Sequence, residues 1–165
     1  MNGKKIAGSI LKVGAVLGAI GGILYLKDKK VRSAEENLKF QKNYYALAQQ
    51  WIMNKNENRS MMKYFNDRNI NSIAIYGMGT LGEALYEELK NTDIKIKYFI
   101  DKNATELYYG VDGIEAVGLD GITSCAEVDA IIVTPVNHYD SIVTDLENEG
   151  VSSEIISLED VIYGL

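Results

Sequence analysis

A glycine-rich turn that joins an apolar run to a helical pattern is the feature that most limits the fold of this 165-residue chain. Residues 73–76 (IAIY) have the composition of a buried strand, and residues 77–82 read GMGTLG. Apolar and tyrosine side chains then recur at helical spacing, at Leu81, Leu85, Tyr86 and Leu89. A strand that passes through such a turn straight into a helix is typical of α/β proteins built on a parallel sheet.

Each glycine of the turn has its own interpretation. Gly77 would make the tight turn, Gly79 would let a pyrophosphate approach the backbone, and Gly82 would let the helix pack close to the strand. Backbone amides at the helix start attract an anion, because they are unpaired and the helix dipole adds to their charge. The pattern therefore predicts a nucleotide-binding loop made of Gly77, Met78, Gly79, Thr80, Leu81 and Gly82. The alternative is a tight turn that serves only the fold.

An acidic residue follows the next predicted strand. Residues 94–100 (IKIKYFI) alternate as a strand does and lead to Asp101, 19 residues after Gly82. A carboxylate at this place accepts hydrogen bonds from both ribose hydroxyls of an adenosine. Lys102 would tolerate a 2′-phosphate, but Asp101 argues against NADP. The alternative is that Asp101 merely caps a turn with Asn103.

The remaining segments continue the alternation of strands and helices. Strands are predicted at residues 113–119, 129–134 and 154–157, and helices at 123–127, 139–149 and 158–163, with Cys125 buried. The run 129–134 (DAIIVT) is apolar on both faces, as parallel sheets require. We therefore expect an α/β fold, a Rossmann-like parallel sheet of about five strands with helices on both faces.

Open α/β sheets bind ligands where their strands end, which draws attention to Thr134, Pro135 and His138. These residues follow the apolar strand, and Thr134, Asn137 and His138 would face whatever lies beyond the phosphates. His138 is a candidate general base, but a histidine at a helix start is more often exposed to solvent. The sequence contains no P-loop lysine, no nucleophile elbow and no Cys/His metal spacing. We therefore predict no catalytic residue and no metal site.

An apolar run near the N-terminus predicts a membrane anchor. Residues 6–26 (IAGSILKVGAVLGAIGGILYL) carry one charge, Lys12, and as a helix would span about 31 Å, close to the roughly 30 Å core of a bilayer. No small-x-small cleavage site follows, so an anchor is favoured over a signal peptide; a helix lying in the interface is the alternative. Gly14, Gly18 and Gly22 share one helix face and predict a homo-oligomeric contact.

Charge is divided unevenly along the chain. Residues 1–32 carry seven Lys/Arg and one Asp, and residues 33–165 carry ten Lys/Arg and 22 Asp/Glu, which gives +6 and −12. The acidic part should repel phosphate backbones, so we expect no binding to nucleic acid. Basic flanks and a single cysteine favour a membrane-associated protein with residues 33–165 in the cytoplasm.

Between these parts, residues 33–69 are predicted to form an amphipathic helical connector. Ser33 and Glu36 fit a capping box that would start a helix. A stripe then packs on the neighbouring domain or on a partner, through Phe40, Tyr44, Leu47, Ala48, Trp51 and Ile52. Residues 54–58 read as a loop and residues 60–67 as a second helix. The expected domains are therefore 1–32, an anchor helix with basic flanks; 33–69, the connector; and 70–165, the nucleotide-binding domain.

Residues 70–165 resemble the short Rossmann-type domains of bacterial surface-polysaccharide biosynthesis, which bind nucleotides or nucleotide-sugars. The matching segments are SIAIYGMGTLGEAL, KYFIDKN, DAIIVTPVNHYDSI and EIISLEDVI. The resemblance implies that Gly77, Gly79, Gly82 and Asp101 line the nucleotide site, with NAD or a nucleotide-sugar as ligand. One type of these domains forms the N-terminal domain of sugar O- and N-acetyltransferases. The chain departs from that type in lacking a transferase domain and in having an apolar anchor. CoA-binding and potassium-channel regulatory domains share the glycine loop.

Together these features favour a membrane-anchored, non-catalytic nucleotide- or nucleotide-sugar-binding protein linked to cell-envelope polysaccharide synthesis. One alternative is a small NAD-dependent oxidoreductase or sugar-modifying enzyme that oligomerisation completes. The other is a degenerate Rossmann fold that serves assembly.

We predict that residues 6–26 hold the full-length protein in the membrane, because the run is as long as the hydrocarbon core is thick. Washing isolated membranes with carbonate and with high salt checks this, and the protein should stay in the pellet. Release of the full-length chain into the supernatant would show that the run is not an anchor.

Overall fold

The structure is a computed structural model that describes the backbone of residues 3–104 and 111–165 and the side chains of residues 24–104 and 111–165. The chain divides into two compact units, Met1–Tyr45 and Ala46–Leu165, which we call the helical unit and the sheet unit. The anchor predicted at residues 6–26 lies mostly outside the described side chains, as do Gly14, Gly18 and Gly22. Within the described residues, no helix is long and apolar enough to cross a membrane.

The helix start predicted at Ser33 is wrong, because a single helix, α1, spans Gly3–Asn56. The helix is continuous through Ser33 and Glu36, and both residues are exposed. Serine inside a helix costs only about 0.5 kcal/mol relative to alanine, so this local signal does not interrupt the helix. Of the predicted stripe, Leu47 and Trp51 are buried in the sheet unit, as expected. In contrast, Ile52 is 60% exposed.

The predicted loop at residues 54–58 is wrong in part, because α1 continues to Asn56. The Asn54 side chain is 1% exposed and donates from Nδ2 to the carbonyl oxygen of Ile162 at 2.6 Å. Its Oδ1 accepts from Nε2 of Gln50 at 2.9 Å. A polar side chain whose hydrogen bonds are satisfied is stable inside a fold, so a polar run alone does not indicate a loop.

The sheet unit contains a five-stranded sheet in the order β3-β2-β1-β4-β5, with every pairing parallel. The strands are β1 (Ser72–Tyr76), β2 (Lys95–Ile100), β3 (Ala116–Val117), β4 (Ala130–Val133) and β5 (Glu154–Ser157). The predicted α/β class and parallel sheet of about five strands are therefore confirmed. The strand expected at residues 113–119 is reduced to two residues.

Helices cover both faces of this sheet, as predicted. The further helices are α2 (Met61–Asp67), α3 (Thr80–Leu89), α4 (Tyr139–Asn148) and α5 (Leu158–Tyr163). One face packs against α2, α3, α5 and the end of α1, and the other packs against α4 and the segment before β4. Ser60 caps α2 by accepting from the backbone amide of Met62 at 3.2 Å, which confirms the predicted second helix.

The prediction of a helix at residues 123–127 is wrong. A 3₁₀ helix spans Leu119–Ser124 instead, and Cys125 follows it in extended backbone. The Cys125 side chain is half-buried rather than buried. Gly121 lies inside this turn and weakens helical structure, and so short a segment does not recover the cost of starting an α-helix.

The turn between β1 and α3 depends on two close approaches. Gly77 has a φ of +90°, and a Cβ there would lie 2.8 Å from Cγ and Cδ of Pro135. Gly82 lies in the first turn of α3, and a Cβ there would overlap the carbonyl oxygen of Gly77. The expected tasks of these two glycines, a tight turn and close helix packing, match this geometry.

We predict that Gly82→Ala destabilises the protein by about 1–3 kcal/mol, because the new methyl group meets backbone rather than a movable side chain. Gly79→Ser is the control, since nothing lies within 4 Å of a Cβ at Gly79 and serine is favoured at a helix N-cap. Urea unfolding of the full-length protein in detergent, followed by fluorescence of Trp51, measures both variants. Equal stability of Gly82→Ala and the native protein would contradict the packing described above.

Candidate functional site

The order of the strands creates a switch point at the carboxyl edge of the sheet. β1 lies between β2 and β4, so the chain continues from β1 to one side and later crosses to the other. The connections after β1 and β4 lie on opposite faces, because α3 packs on one face and α4 on the other. They diverge and leave a crevice, which is where open α/β sheets bind ligands.

A cleft of about 300 Å³ occupies this crevice. It is lined by Tyr76, Gly77, Asp101, Lys102, Pro135, His138, Ser141 and Ile142. Five of these eight residues are among the site residues predicted from the sequence: Gly77, Asp101, Lys102, Pro135 and His138. The structure thus brings the ends of β1, β2 and β4 together around one cavity, which we call the switch-point cleft.

Asp101 joins the end of β2 to the glycine loop. Its Oδ2 accepts a hydrogen bond from the backbone amide of Met78 at 2.8 Å, and its Oδ1 accepts from the amide of Asn103 at 2.8 Å. The second contact is the turn cap that the sequence left open as an alternative. The first contact was missed, because no local pattern pairs residues 23 positions apart. Both contacts hold the carboxylate at the mouth of the cleft.

The glycine loop presents backbone rather than side chains. Met78 and Leu81 are each 9% exposed, and their side chains belong to the hydrophobic core. Gly79 is exposed and is the N-cap of α3, with open space where a Cβ would stand. Thr80 is also exposed, and Glu83 in the first turn of α3 places a negative charge nearby.

Thr134 supports the loop from inside the fold. Its side chain is 3% exposed, and its Oγ1 lies 3.0 Å from the carbonyl oxygen of Tyr76 and 2.8 Å from that of Gly77. It does not line the switch-point cleft. Thr134 therefore ties the end of β4 to the end of β1, and it fixes the backbone from which the glycine loop begins.

His138 lies between two cavities. It is exposed, holds the N-cap position of α4 without a side-chain cap bond, and lines the switch-point cleft. It also lines a wider depression of about 500 Å³ whose rim carries Asp140, Glu159 and Asp160. Among the described residues no group of three or more His, Cys, Asp or Glu side chains could hold a metal ion. The three acids on the rim of the wider depression make it unsuited to an anionic ligand.

Three lining residues of the switch-point cleft were missed by sequence reasoning: Tyr76, Ser141 and Ile142. In the sequence, Tyr76 looks like one more apolar residue of the strand. As the last residue before the glycine loop, however, it would stand next to a ligand bound at that loop. Its side chain is 3% exposed. Burial and, to a lesser extent, the charges of Asp145 and Asp101 raise the pKa of its hydroxyl. Tyr76 therefore stays neutral at physiological pH and is able to donate a hydrogen bond.

Comparison with known proteins identifies a family for the chain. No curated protein matches the chain. A family model described as C2185-like, N-terminal, matches residues 69–157. The matched region contains all five strands, the glycine loop, Asp101 and every residue that lines the switch-point cleft. Because it covers more than half of the 165 residues, the chain belongs to the C2185-like N-terminal family.

Proposed function

We propose that the sheet unit binds a nucleotide or nucleotide-sugar in the switch-point cleft, with its phosphates at the start of α3. The observation that carries this proposal is the meeting of Asp101 with the glycine loop beside a cleft at the switch point. Phosphates would take the open space at Gly79, where the amides of residues 79–82 precede the first intrahelical hydrogen bond, from Glu83 to Gly79. The ribose would lie at Asp101.

We further propose that the protein acts from the membrane in cell-envelope polysaccharide synthesis, without catalysing a reaction itself. The resemblance of residues 70–165 to Rossmann-type domains of that machinery supports the pathway. The apolar run at residues 6–26 supports an anchor, and its basic flanks support a cytoplasmic sheet unit. His138 lines the cleft and stands exposed at its rim. A binding role needs no more than the cleft supplies.

A specific observation also favours a second candidate, a degenerate Rossmann fold that serves assembly. Both oxygens of Asp101 already accept hydrogen bonds from backbone amides of the chain itself. The negative charge of Glu83 would repel an anion at the start of α3. On this alternative the loop is only a tight turn, and no nucleotide binds. The binding measurements on the native protein and on the three variants below separate the candidates.

We predict that Gly79→Val weakens nucleotide binding by tenfold or more, because the side chain would fill the place of the pyrophosphate. Its backbone angles, φ −77° and ψ −171°, suit any residue, so folding should lose no more than about 1 kcal/mol, the typical cost of a poor N-cap. Thermal unfolding with and without NAD or a UDP-sugar measures both effects. If Gly79→Val reduces the ligand-induced rise in melting temperature only as much as it lowers the melting temperature without ligand, the loop has a structural role.

We predict that Asp101→Ala raises the dissociation constant for NAD tenfold or more, since losing one charge-assisted hydrogen bond costs about 1.5–3 kcal/mol. The native protein should bind NADP poorly, because the 2′-phosphate would face the carboxylate. In Asp101→Ala the difference in affinity between NAD and NADP should be smaller, because Lys102 would be free to contact the phosphate. Calorimetric titration with NAD, NADP and a UDP-sugar measures these constants.

Asp101→Asn is the matched variant, because its amide oxygen keeps one acceptor for the glycine loop while the charge is removed. A uridine sugar placed differently over the sheet would depend less on Asp101, and its affinity would then change little. If the native protein binds none of the three ligands at millimolar concentration, the nucleotide site is refuted and the assembly candidate stands.

A further inference from the structure

The hydroxyl of Tyr76 is buried without a hydrogen-bond partner in the part of the chain that the structure describes. The Tyr76 side chain is 3% exposed, and it packs with Ile100, Val133 and Ile142 in the core under α4. A buried polar group that lacks a partner destabilises the fold, because it has lost its hydrogen bonds to water. Phenylalanine would fill nearly the same space without that cost. The hydroxyl therefore calls for a partner from outside the chain.

The position of Tyr76 indicates where that partner comes from. Tyr76 is the last residue of β1, directly before the glycine loop, and it lines the switch-point cleft beside Gly77 and Asp101. Burial and, to a lesser extent, the charges of Asp145 and Asp101 raise the pKa of its hydroxyl, so the hydroxyl keeps its proton. Asp101 itself is engaged by the amides of Met78 and Asn103.

Tyr139 provides a contrast within the same core. It is half-buried, and its hydroxyl donates to the backbone carbonyl oxygen of Ile155 at 2.8 Å. Its polar atom is therefore satisfied by the fold, as buried hydroxyls normally are. Tyr76 departs from this rule at a residue that lines the switch-point cleft.

We propose that the switch-point cleft takes the nucleoside end of the ligand, and that the Tyr76 hydroxyl hydrogen-bonds to it. This inference rests on the nucleotide site proposed above. A nucleobase offers ring nitrogens and carbonyl oxygens that accept a hydrogen bond from a neutral tyrosine. Pro135 and Ile142 supply apolar contacts for its faces, and Asp101 stands where the ribose would follow. The phosphates then run toward Gly79, and the sugar or second nucleoside points away from the cleft.

The competing partner is a buried water molecule. Buried waters typically make about three hydrogen bonds to otherwise unpaired groups, and they are costly to remove. The two partners differ in one measurable respect. A water would stabilise the protein in the absence of ligand, whereas a ligand contact affects only the bound state.

Tyr76→Phe in the full-length protein tests the proposal, because it removes the hydroxyl and keeps the ring. Without ligand, its melting temperature should equal or exceed that of the native protein. Its affinity for whichever of NAD and UDP-glucose binds the native protein should fall about three- to tenfold, as expected for one hydrogen bond. The matching 5′-monophosphate, AMP or UMP, should compete with that ligand and should lose affinity by the same factor.

Two tyrosine variants serve as controls. Tyr139→Phe should lower the melting temperature, because it leaves the carbonyl of Ile155 without its donor. Tyr98→Phe alters a tyrosine that is 6% exposed on the same sheet face but does not line the cleft, so its ligand affinity should match that of the native protein.

Each other outcome overturns the inference in a distinguishable way. Equal affinity of Tyr76→Phe and the native protein would refute the contact but leave the nucleotide site standing. A loss of melting temperature like that of Tyr139→Phe would identify a buried water as the partner. A monophosphate that does not compete, or whose affinity is unchanged by the variant, would place the distal half of the ligand in the cleft. Failure of the native protein to bind either nucleotide would refute the inference and the proposed function together.

Discussion

The contact between α3 and the end of β1 is the constraint on which the rest of the sheet unit depends. Gly82 allows the helix to reach the carbonyl oxygen of Gly77, and Thr134 lies within hydrogen-bond distance of the same oxygen from β4. Three elements thus meet at one backbone atom. Any side chain at Gly82 would push α3 outward, open the turn and move the carboxyl edge of β1 away from that of β4. The cleft exists because these strand ends are held together.

Asp101 extends this arrangement to β2. The amide of Gly77 donates to the carbonyl oxygen of Ile100 at 2.7 Å, and the amide of Met78 donates to the Asp101 carboxylate. The glycine loop is therefore fixed from both sides, by β4 through Thr134 and by β2 through Asp101. A loop fixed in this way would not need to be ordered by the ligand that we propose, and this would reduce the entropic cost of binding.

The sequence predicted the parts of the fold that depend on local periodicity and turn chemistry. The β1–α3 turn, the strand before Asp101 and the apolar strand at residues 130–133 all lie where the pattern put them, because burial and the required glycines leave a local record. Long-range partners overrode the local signal elsewhere. Asn54 lies in a helix because Ile162 accepts its hydrogen bond 108 residues away, and Ser33 does not interrupt α1.

The residues of the candidate site fall into the same two groups, those with a local sequence pattern and those that depend on long-range contacts. Gly77, Asp101, Lys102, Pro135 and His138 were found from the sequence, because strand ends and a glycine loop are visible as patterns. Tyr76 was not found, because an unpaired hydroxyl is a property of the packed core and has no sequence signature. Thr134 was also predicted from its position at a strand end, which is visible in the sequence, whereas its contacts with Tyr76 and Gly77 are long-range and leave no local pattern.

The internal hydrogen bonds of Asp101 leave room for the role in ligand binding that we propose. Each oxygen of a carboxylate accepts about two hydrogen bonds, and here each accepts one backbone amide, from Met78 and from Asn103. Within residues 3–104 and 111–165, one acceptor position per oxygen remains, which is the number that the two hydroxyls of a ribose require. The two amides also aim the carboxylate, so a ligand meets an acceptor already in place rather than a mobile side chain. A structural Asp101 and a ligand-binding Asp101 are therefore compatible, and the first prepares the second.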